Sequence, residues 1–319
     1  NNTVPGGDRT GGVFMKDYER LKMLEPPEGI LDVVIDTDTA TEVDDPFAVA
    51  YALLSPEKLR VQALCAAPFS MNERAQDPAD GMEQSYRELL HLLDLLGMRG
   101  EYESRVFRGS RSYLSEKTPV PSPAADEIVR LALAHSQEHP LYVAAIGAVT
   151  NVASALLACP EIAERMVLVW LAGDDLDASP NVYNVYQDVK AAQVVFDSGV
   201  PLVHVPCTPV SSHLTTTMEQ LEACIGGKNS LCDYLTESVR AYSDDLFAWS
   251  KPIWDIAVIA WLLSPDFAET EVTTSPIVTD NLTWSRDYHR HLIRNVKCFR
   301  RDAVFRDLFR KLSGVSPRP

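Results

Sequence analysis

The sequence predicts an α/β fold, with a mostly parallel central sheet and helices on both faces. Three observations carry this. Short apolar runs alternate with helix-period stretches from residue 30 to about residue 205, the pattern of repeated strand–helix units. Polar residues (Asp36, Asp38, Asn72 and Asp174) recur at or just past the ends of those runs, where open parallel sheets bind ligands. Beyond about residue 214 the chain turns more helical, and two late extended segments read as a small antiparallel edge.

Taken in order, Ile30 to Ile35 is a first buried strand, followed by an acidic loop and an apolar helix, Phe47 to Leu54. Pro46 is preorganised for the first turn of that helix, and Asp44 or Asp45 suits its cap. Arg60 to Ala67 is the second strand. Pro68 ends it, which puts Asn72 in the loop beyond. A helix is expected over Met82 to Leu96, with apolar residues at Leu89, Leu92, Leu93 and Leu96. The helix Ala124 to His135 precedes a strand, Leu141 to Ile146, and Gly147-Ala148-Val149-Thr150-Asn151 turns into another helix. Met166 to Leu171 is a strand ending in Ala172-Gly173-Asp174-Asp175, and helix 188–198 and strand 201–205 continue the alternation. Helices are then expected over Ser230 to Trp249, Ile253 to Leu263 and Asp302 to Leu312, with strands at 271–279 and 289–298. Residues 1–29 read as a partly mobile lead-in and residues 30–319 as one domain.

Composition narrows the function. With 319 residues, 46% of them hydrophobic, a sizeable core is available. A net charge of −16 disfavours nucleic acid, whose phosphates need Lys and Arg, and anionic membrane surfaces. No apolar run is long enough for a transmembrane helix. The six cysteines form no C-x-x-C pair and several lie in apolar runs, which argues for reduced thiols in a cytoplasmic protein and against zinc.

The most informative stretch is Asp36-Thr37-Asp38-Thr39-Ala40-Thr41-Glu42-Val43-Asp44-Asp45, with five acids in ten positions. Like charges so close repel, and a bound cation relieves the repulsion. Oxygen donors without Cys or His suit a hard cation, Ca²⁺ or Mg²⁺.

This D-x-D pair followed by D-D at a helix start resembles the signature of the calcium-dependent nucleoside hydrolases, with a spacer two residues longer than the commonest form. Further matches are Asn72, the turn Gly147 to Asn151, Asn184 followed by Asp188 and Ala191-Ala192, and Trp254-Asp255. The resemblance implies a Rossmann-like nucleoside hydrolase fold and hydrolysis of the N-glycosidic bond of a ribonucleoside or related N-riboside. It implies Ca²⁺ held by Asp38, Asp45, Asp255 and the Ile146 carbonyl, with Asp44 as the general base toward a calcium-bound water and Asp36 supporting the network. Asn72, Asp174 and Asn184 would lie on the sugar side, and Trp254 could stack on the base. A role in nucleoside salvage and a homodimer or homotetramer are further implications. Three departures stand out. Val182-Tyr183-Asn184 replaces Glu-Phe-Asn, Ala172-Gly173-Asp174 replaces Gly-Gly-Asn, and Trp254 replaces a His often assigned to leaving-group protonation. A ribose-contacting carboxylate is thereby lost, and weak turnover of common ribonucleosides is expected unless Asp174 compensates.

Two alternatives remain at this level. A haloacid-dehalogenase-type, Mg²⁺-dependent phosphohydrolase also opens with D-x-D after a strand, and Gly173-Asp174-Asp175-Leu176-Asp177 imitates its late acidic motif. Val182 motivates the other, a ribose- or nucleoside-binding protein with weak or no turnover.

Overall fold

The computed structural model describes residues 15–314. Eight strands form the main sheet: β1 (Leu31–Thr37), β2 (Leu59–Ala66), β3 (Val106–Arg108), β4 (Leu141–Ala145), β5 (Met166–Leu171), β6 (Leu202–Val205), β9 (Ala268–Thr274) and β12 (Leu292–Phe299). The short strands β7 (Thr215–Thr216) and β8 (Lys251–Pro252) pair with each other, as do β10 (Ile277–Val278) and β11 (Trp284–Ser285). The strand order of the main sheet is β3-β2-β1-β4-β5-β6-β12-β9. All its pairings are parallel except β12 with the edge strand β9.

Strands buried on both faces explain the apolar runs. In β1, Val33 and Ile35 pack into one core layer and Val34 into the other. The first layer lies under the helices Asp45–Leu53, Pro78–Leu95, Ile256–Leu263 and Arg301–Ser313, and the second under Pro123–Leu133, Thr150–Ala158 and Val189–Ser198. Side chains cap several of these helices. Asp77 accepts from the Asp80 N–H at 2.9 Å, Ser122 from Ala125 at 3.1 Å and Asp188 from Ala191 at 2.9 Å, each satisfying a donor the helix leaves free.

The structure revises several boundaries. Of the lead-in, residues 1–14 lie outside the described residues, while Asp17–Met23 is a helix that buries Met23 and Leu24 in the first core layer. The helix expected to Trp249 stops at Arg240. Ser243 and Asp245 bond to nearby backbone and Ala248 takes a positive φ of 53°, local choices that compete with a helix. The strand expected over 271–279 is split at Ser275-Pro276, because proline cannot donate to the ladder. The late strands form the expected antiparallel edge, with β12 joining β6 in the main sheet and β9 pairing antiparallel outside it.

The order 3-2-1-4-5-6 reverses direction between β1 and β4. Connections leave these two strands toward opposite sides, which opens a crevice at their carboxyl ends. The turn after β4 is fixed there by Trp170, fully buried, whose indole N–H donates to the Gly147 carbonyl at 3.0 Å. Trp170→Phe leaves that carbonyl unpaired and is expected to cost about 1–3 kcal/mol. Urea unfolding measures this, and an unchanged midpoint would deny the turn its anchor.

Candidate active site

Five aspartates meet at this crevice. Asp36 ends β1, Asp38 lies just past it, Asp44 and Asp45 open the helix Asp45–Leu53, and Asp255 precedes the helix Ile256–Leu263. Each is at most 3% exposed. Carboxylate oxygens of Asp44, Asp45 and Asp255 lie within 4.8 Å of one another. Asp38 is outside that set, yet its charge acts on both Asp45 and Asp255. Gly147 makes room for it, since a Cβ there would sit 2.7 Å from Asp38 Oδ1.

Burial pushes Asp36 and Asp38 up to about 7. Burial, then the charge of Glu42, pushes Asp44 up to about 8. Asp45 and Asp255 are driven well above the usual carboxylate range by burial and by their acidic neighbours. Several contacts hold the cluster in place. Thr37 donates to Asp45 at 2.6 Å, Asn151 to Asp36 at 2.7 Å, and the Trp254 backbone N–H to Asp44 at 3.1 Å. Two helix N-termini, with their partial positive charge, begin at Asp45 and Ile256. Asp44 or Asp45 was expected to cap the helix, and Asp44 is the one at that position. It makes no capping bond, because its carboxylate turns to Trp254.

The residues present fit a hard cation. Asp36 Oδ2 and Asp38 Oδ2 are buried without a hydrogen-bond partner, which is rare unless an ion or water completes them. The Ile146 carbonyl accepts from Asn184 Nδ2 at 3.0 Å and keeps a second lone pair. The Cys207 thiol borders the same cavity, and burial raises its pKa, so it offers no thiolate.

The cluster forms the floor of an open cavity of about 690 Å³, within the range of small-molecule sites. Asn72, Ile146, Asp174, Asn184, Trp254 and four of the aspartates line it; Asp36 sits behind the wall. The asparagines are less free than expected of substrate ligands. Asn72 donates to the Tyr183 hydroxyl at 2.8 Å and accepts from the Arg74 and Ala75 N–H groups. The Asn184 amide nitrogen is spent on the Ile146 and Leu171 carbonyls. One oxygen of Asp174 accepts from the Thr208 N–H at 2.8 Å.

Sequence reasoning missed one wall. Glu42 pairs with Lys251 at 2.7 Å and accepts from the Tyr242 hydroxyl at 2.7 Å. Lys251, 4% exposed, also lies 4.6 Å from the Tyr242 ring centre. Although burial opposes it, the Lys251 charge holds Glu42 below its usual range. The long spacer that carries Glu42 was the available signal, but its partners lie some 200 positions away, at 242 and 251.

Comparison with known proteins agrees with this fold. The family described as inosine-uridine preferring nucleoside hydrolase matches residues 33–300. The pyrimidine-specific ribonucleoside hydrolase RihA of Klebsiella pneumoniae (strain 342) is 27% identical over 292 residues, covering 81% of this chain and 89% of the relative. A plant nucleoside hydrolase structure superposes with a TM-score of 0.67 at 20% identity, covering 89% of this chain and 99% of that one. The purine-preferring ribonucleoside hydrolase of Gardnerella vaginalis gives 0.66 at 19%, covering 89% and 98%. These matches set aside the phosphohydrolase alternative. Asp175, the centre of its late acidic motif, is instead ion-paired with Lys297 at 2.8 Å.

Two outcomes are expected. The clustered carboxyls have folded-state pKa values above their ordinary value of 3.8. The folded protein therefore binds more protons than the unfolded chain between about pH 4 and pH 8, and stability falls as pH rises through that window. Thermal melts without divalent cation should show Tm falling with pH, and saturating Ca²⁺ should raise Tm and flatten the slope. A slope indifferent to Ca²⁺ counts against a shared cation. For the missed wall, Lys251→Met strands Glu42 beside Asp44 and should cost about 2–3 kcal/mol, less than a fully buried pair because Glu42 is partly solvated. Adding Glu42→Gln should recover part of that loss in denaturant melts, whereas strictly additive losses would mean the two do not act as a pair.

Proposed function

The chain belongs to the inosine-uridine preferring nucleoside hydrolase family and is a hydrolase acting on N-glycosyl compounds, and we propose that it cleaves a ribonucleoside or related N-riboside to free base and ribose with Asp44 as general base. One observation carries this. A buried, all-oxygen acidic cluster with unpartnered carboxylate oxygens opens into a nucleoside-sized cavity at the carboxyl ends of β1 and β4.

Asp38, Asp45, Asp255 and the Ile146 carbonyl would hold Ca²⁺, which when bound would supply a more acidic water and a hold on vicinal sugar hydroxyls. Asp44, aimed by the Trp254 N–H, takes the proton of the attacking water. The water oxygen bonds to the anomeric carbon as the C–N electron pair leaves with the base, which takes a proton from solvent, and Asp44 returns its own proton to solvent afterwards. The sugar becomes cation-like on the way, and the surrounding carboxylates stabilise that charge. Asp36, tied to Asn151, braces the loop that carries Asp38. On the sugar side Val182 offers no acceptor, so the free oxygen of Asp174 is the available replacement there. Since RihA is named as pyrimidine-specific, pyrimidine ribonucleosides are the first common substrates to try. Reduced cysteines, unpaired throughout, fit a cytoplasmic role in nucleoside salvage, and a homodimer or homotetramer is the assembly proposed. Among the described residues no helix is long and apolar enough to cross a membrane.

A ribose-binding protein with weak turnover is the second reading, favoured by Val182 and by the asparagine amides already engaged with the protein. Ribose binding without base release would support it. For the hydrolase, Asp44→Asn should keep the fold and Ca²⁺ binding and lose about 10²–10⁴-fold in kcat. Undiminished turnover would remove Asp44 from its role.

A further inference from the structure

We propose, building on the ribosidase reading, that the substrate this cavity prefers is a cationic N-riboside, whose aglycone is a pyridinium-type ring that departs as a neutral base. The first support is what the cavity lacks. A nitrogen leaving from a purine or pyrimidine carries off an electron pair and needs a proton, which a side chain of matched acidity normally provides. None of the seven histidines lines the cavity. The Tyr183 hydroxyl already donates to the Ser70 carbonyl at 2.6 Å, and that of Tyr242 to Glu42 at 2.7 Å. The Tyr186 phenol and the Cys207 thiol are weakened as acids by burial. Lys251 is held by Glu42, and Asp38, Asp44, Asp45 and Asp255 are taken up by the cation and the attacking water. Asp174 accepts from the Thr208 N–H and keeps its other oxygen for the sugar, and Glu73 stands exposed at the rim.

The second support is charge. Seven carboxylates and one guanidinium, Arg74, line the cavity. A divalent cation cancels two of those charges, Lys251 a third and Arg74 a fourth, so the cavity stays anionic and draws cationic ligands. The third is shape and surface. Tyr183 and Tyr186 meet edge to face with ring centres 5.4 Å apart, and Tyr242 and Trp254 complete an aromatic lining. Aromatic faces attract a ring that carries positive charge.

The reaction balances without a donated proton or any co-reactant. Water oxygen bonds to the anomeric carbon and its proton goes to Asp44. The C–N pair passes to the ring nitrogen and quenches its charge, and the aglycone leaves as a neutral aromatic base. Positive charge moves from the ring to the sugar, toward the aspartates, as the bond breaks.

The test compares kcat/KM of the Ca²⁺-loaded protein on N-ribosyl-3-carbamoylpyridinium, uridine and inosine. The pyridinium riboside should lead by at least about tenfold. Equal or faster cleavage of uridine or inosine overturns the inference and leaves the ribosidase reading standing. Failure to cleave any of the three overturns both. A second measurement separates acidity from charge. 4-Nitrophenyl riboside, whose leaving group departs unprotonated but uncharged while attached, should fall between the pyridinium riboside and uridine. A rate no better than uridine overturns the claim that the missing acid is limiting. Trp254→His should raise uridine and inosine cleavage and leave the pyridinium rate no higher. A rise on all three alike also counts against it.

Discussion

Mutual repulsion among five buried carboxylates is the constraint on which the rest of this structure depends. Asp36, Asp38, Asp44, Asp45 and Asp255 are nearly sealed from water, and uncompensated charges in that position cost several kcal/mol each. Left to themselves, such side chains swing outward or take up protons. Here they are prevented from turning out, because each lies at or beside a strand end or a helix start, and three are gripped by a neighbour: Asp45 by Thr37, Asp36 by Asn151 and Asp44 by the Trp254 N–H. The strain is met partly by two helix N-termini and by Lys251, and what remains suits the cluster to a hard cation.

The sheet explains how residues from such distant segments come together. β1 and β4 are neighbours at the reversal of strand order, so the loop with Asp38 and the turn with Ile146 and Gly147 face each other. The register pairs Asp36 with Ala145, which brings the acid at the end of β1 level with the end of β4. Asn151, at the start of the next helix, then spans from Asp36 to the Ala66 carbonyl of β2 and accepts from Ser110. One amide thus ties three strand ends around the site, and a two-layer core on either face of the sheet keeps those ends from drifting.

Around this shared centre the chain builds its own cavity. The long spacer lifts Glu42 into contact with Lys251 and Tyr242, and Tyr242 in turn stacks on Trp249 at 6.2 Å. That wall is acidic and aromatic, as is the rim formed by Tyr183, Tyr186 and Trp254. A cavity so lined rewards positive charge, whether on the sugar during bond cleavage or already present on the aglycone.

The local chemistry of the chain determined much of this alone. Apolar period and turn residues located the strands of the parallel sheet, because burial on both faces leaves an unmistakable run of Val, Ile and Leu. The acids of 36–45 announced an acidic cluster, because like charges so near in sequence are near in space whatever the fold. Tertiary structure decided the rest. Only the strand order brings Asp255 within 4.8 Å of Asp44 and Asp45, and only packing turns Asp44 from a helix cap toward Trp254. The engagement of Asn72 and Asn184 with the protein's own backbone and Tyr183, and the meeting of Glu42 with Lys251, also lay beyond the sequence. Each depends on where a side chain points after segments far apart in the chain have packed, and no periodicity or spacing encodes that direction.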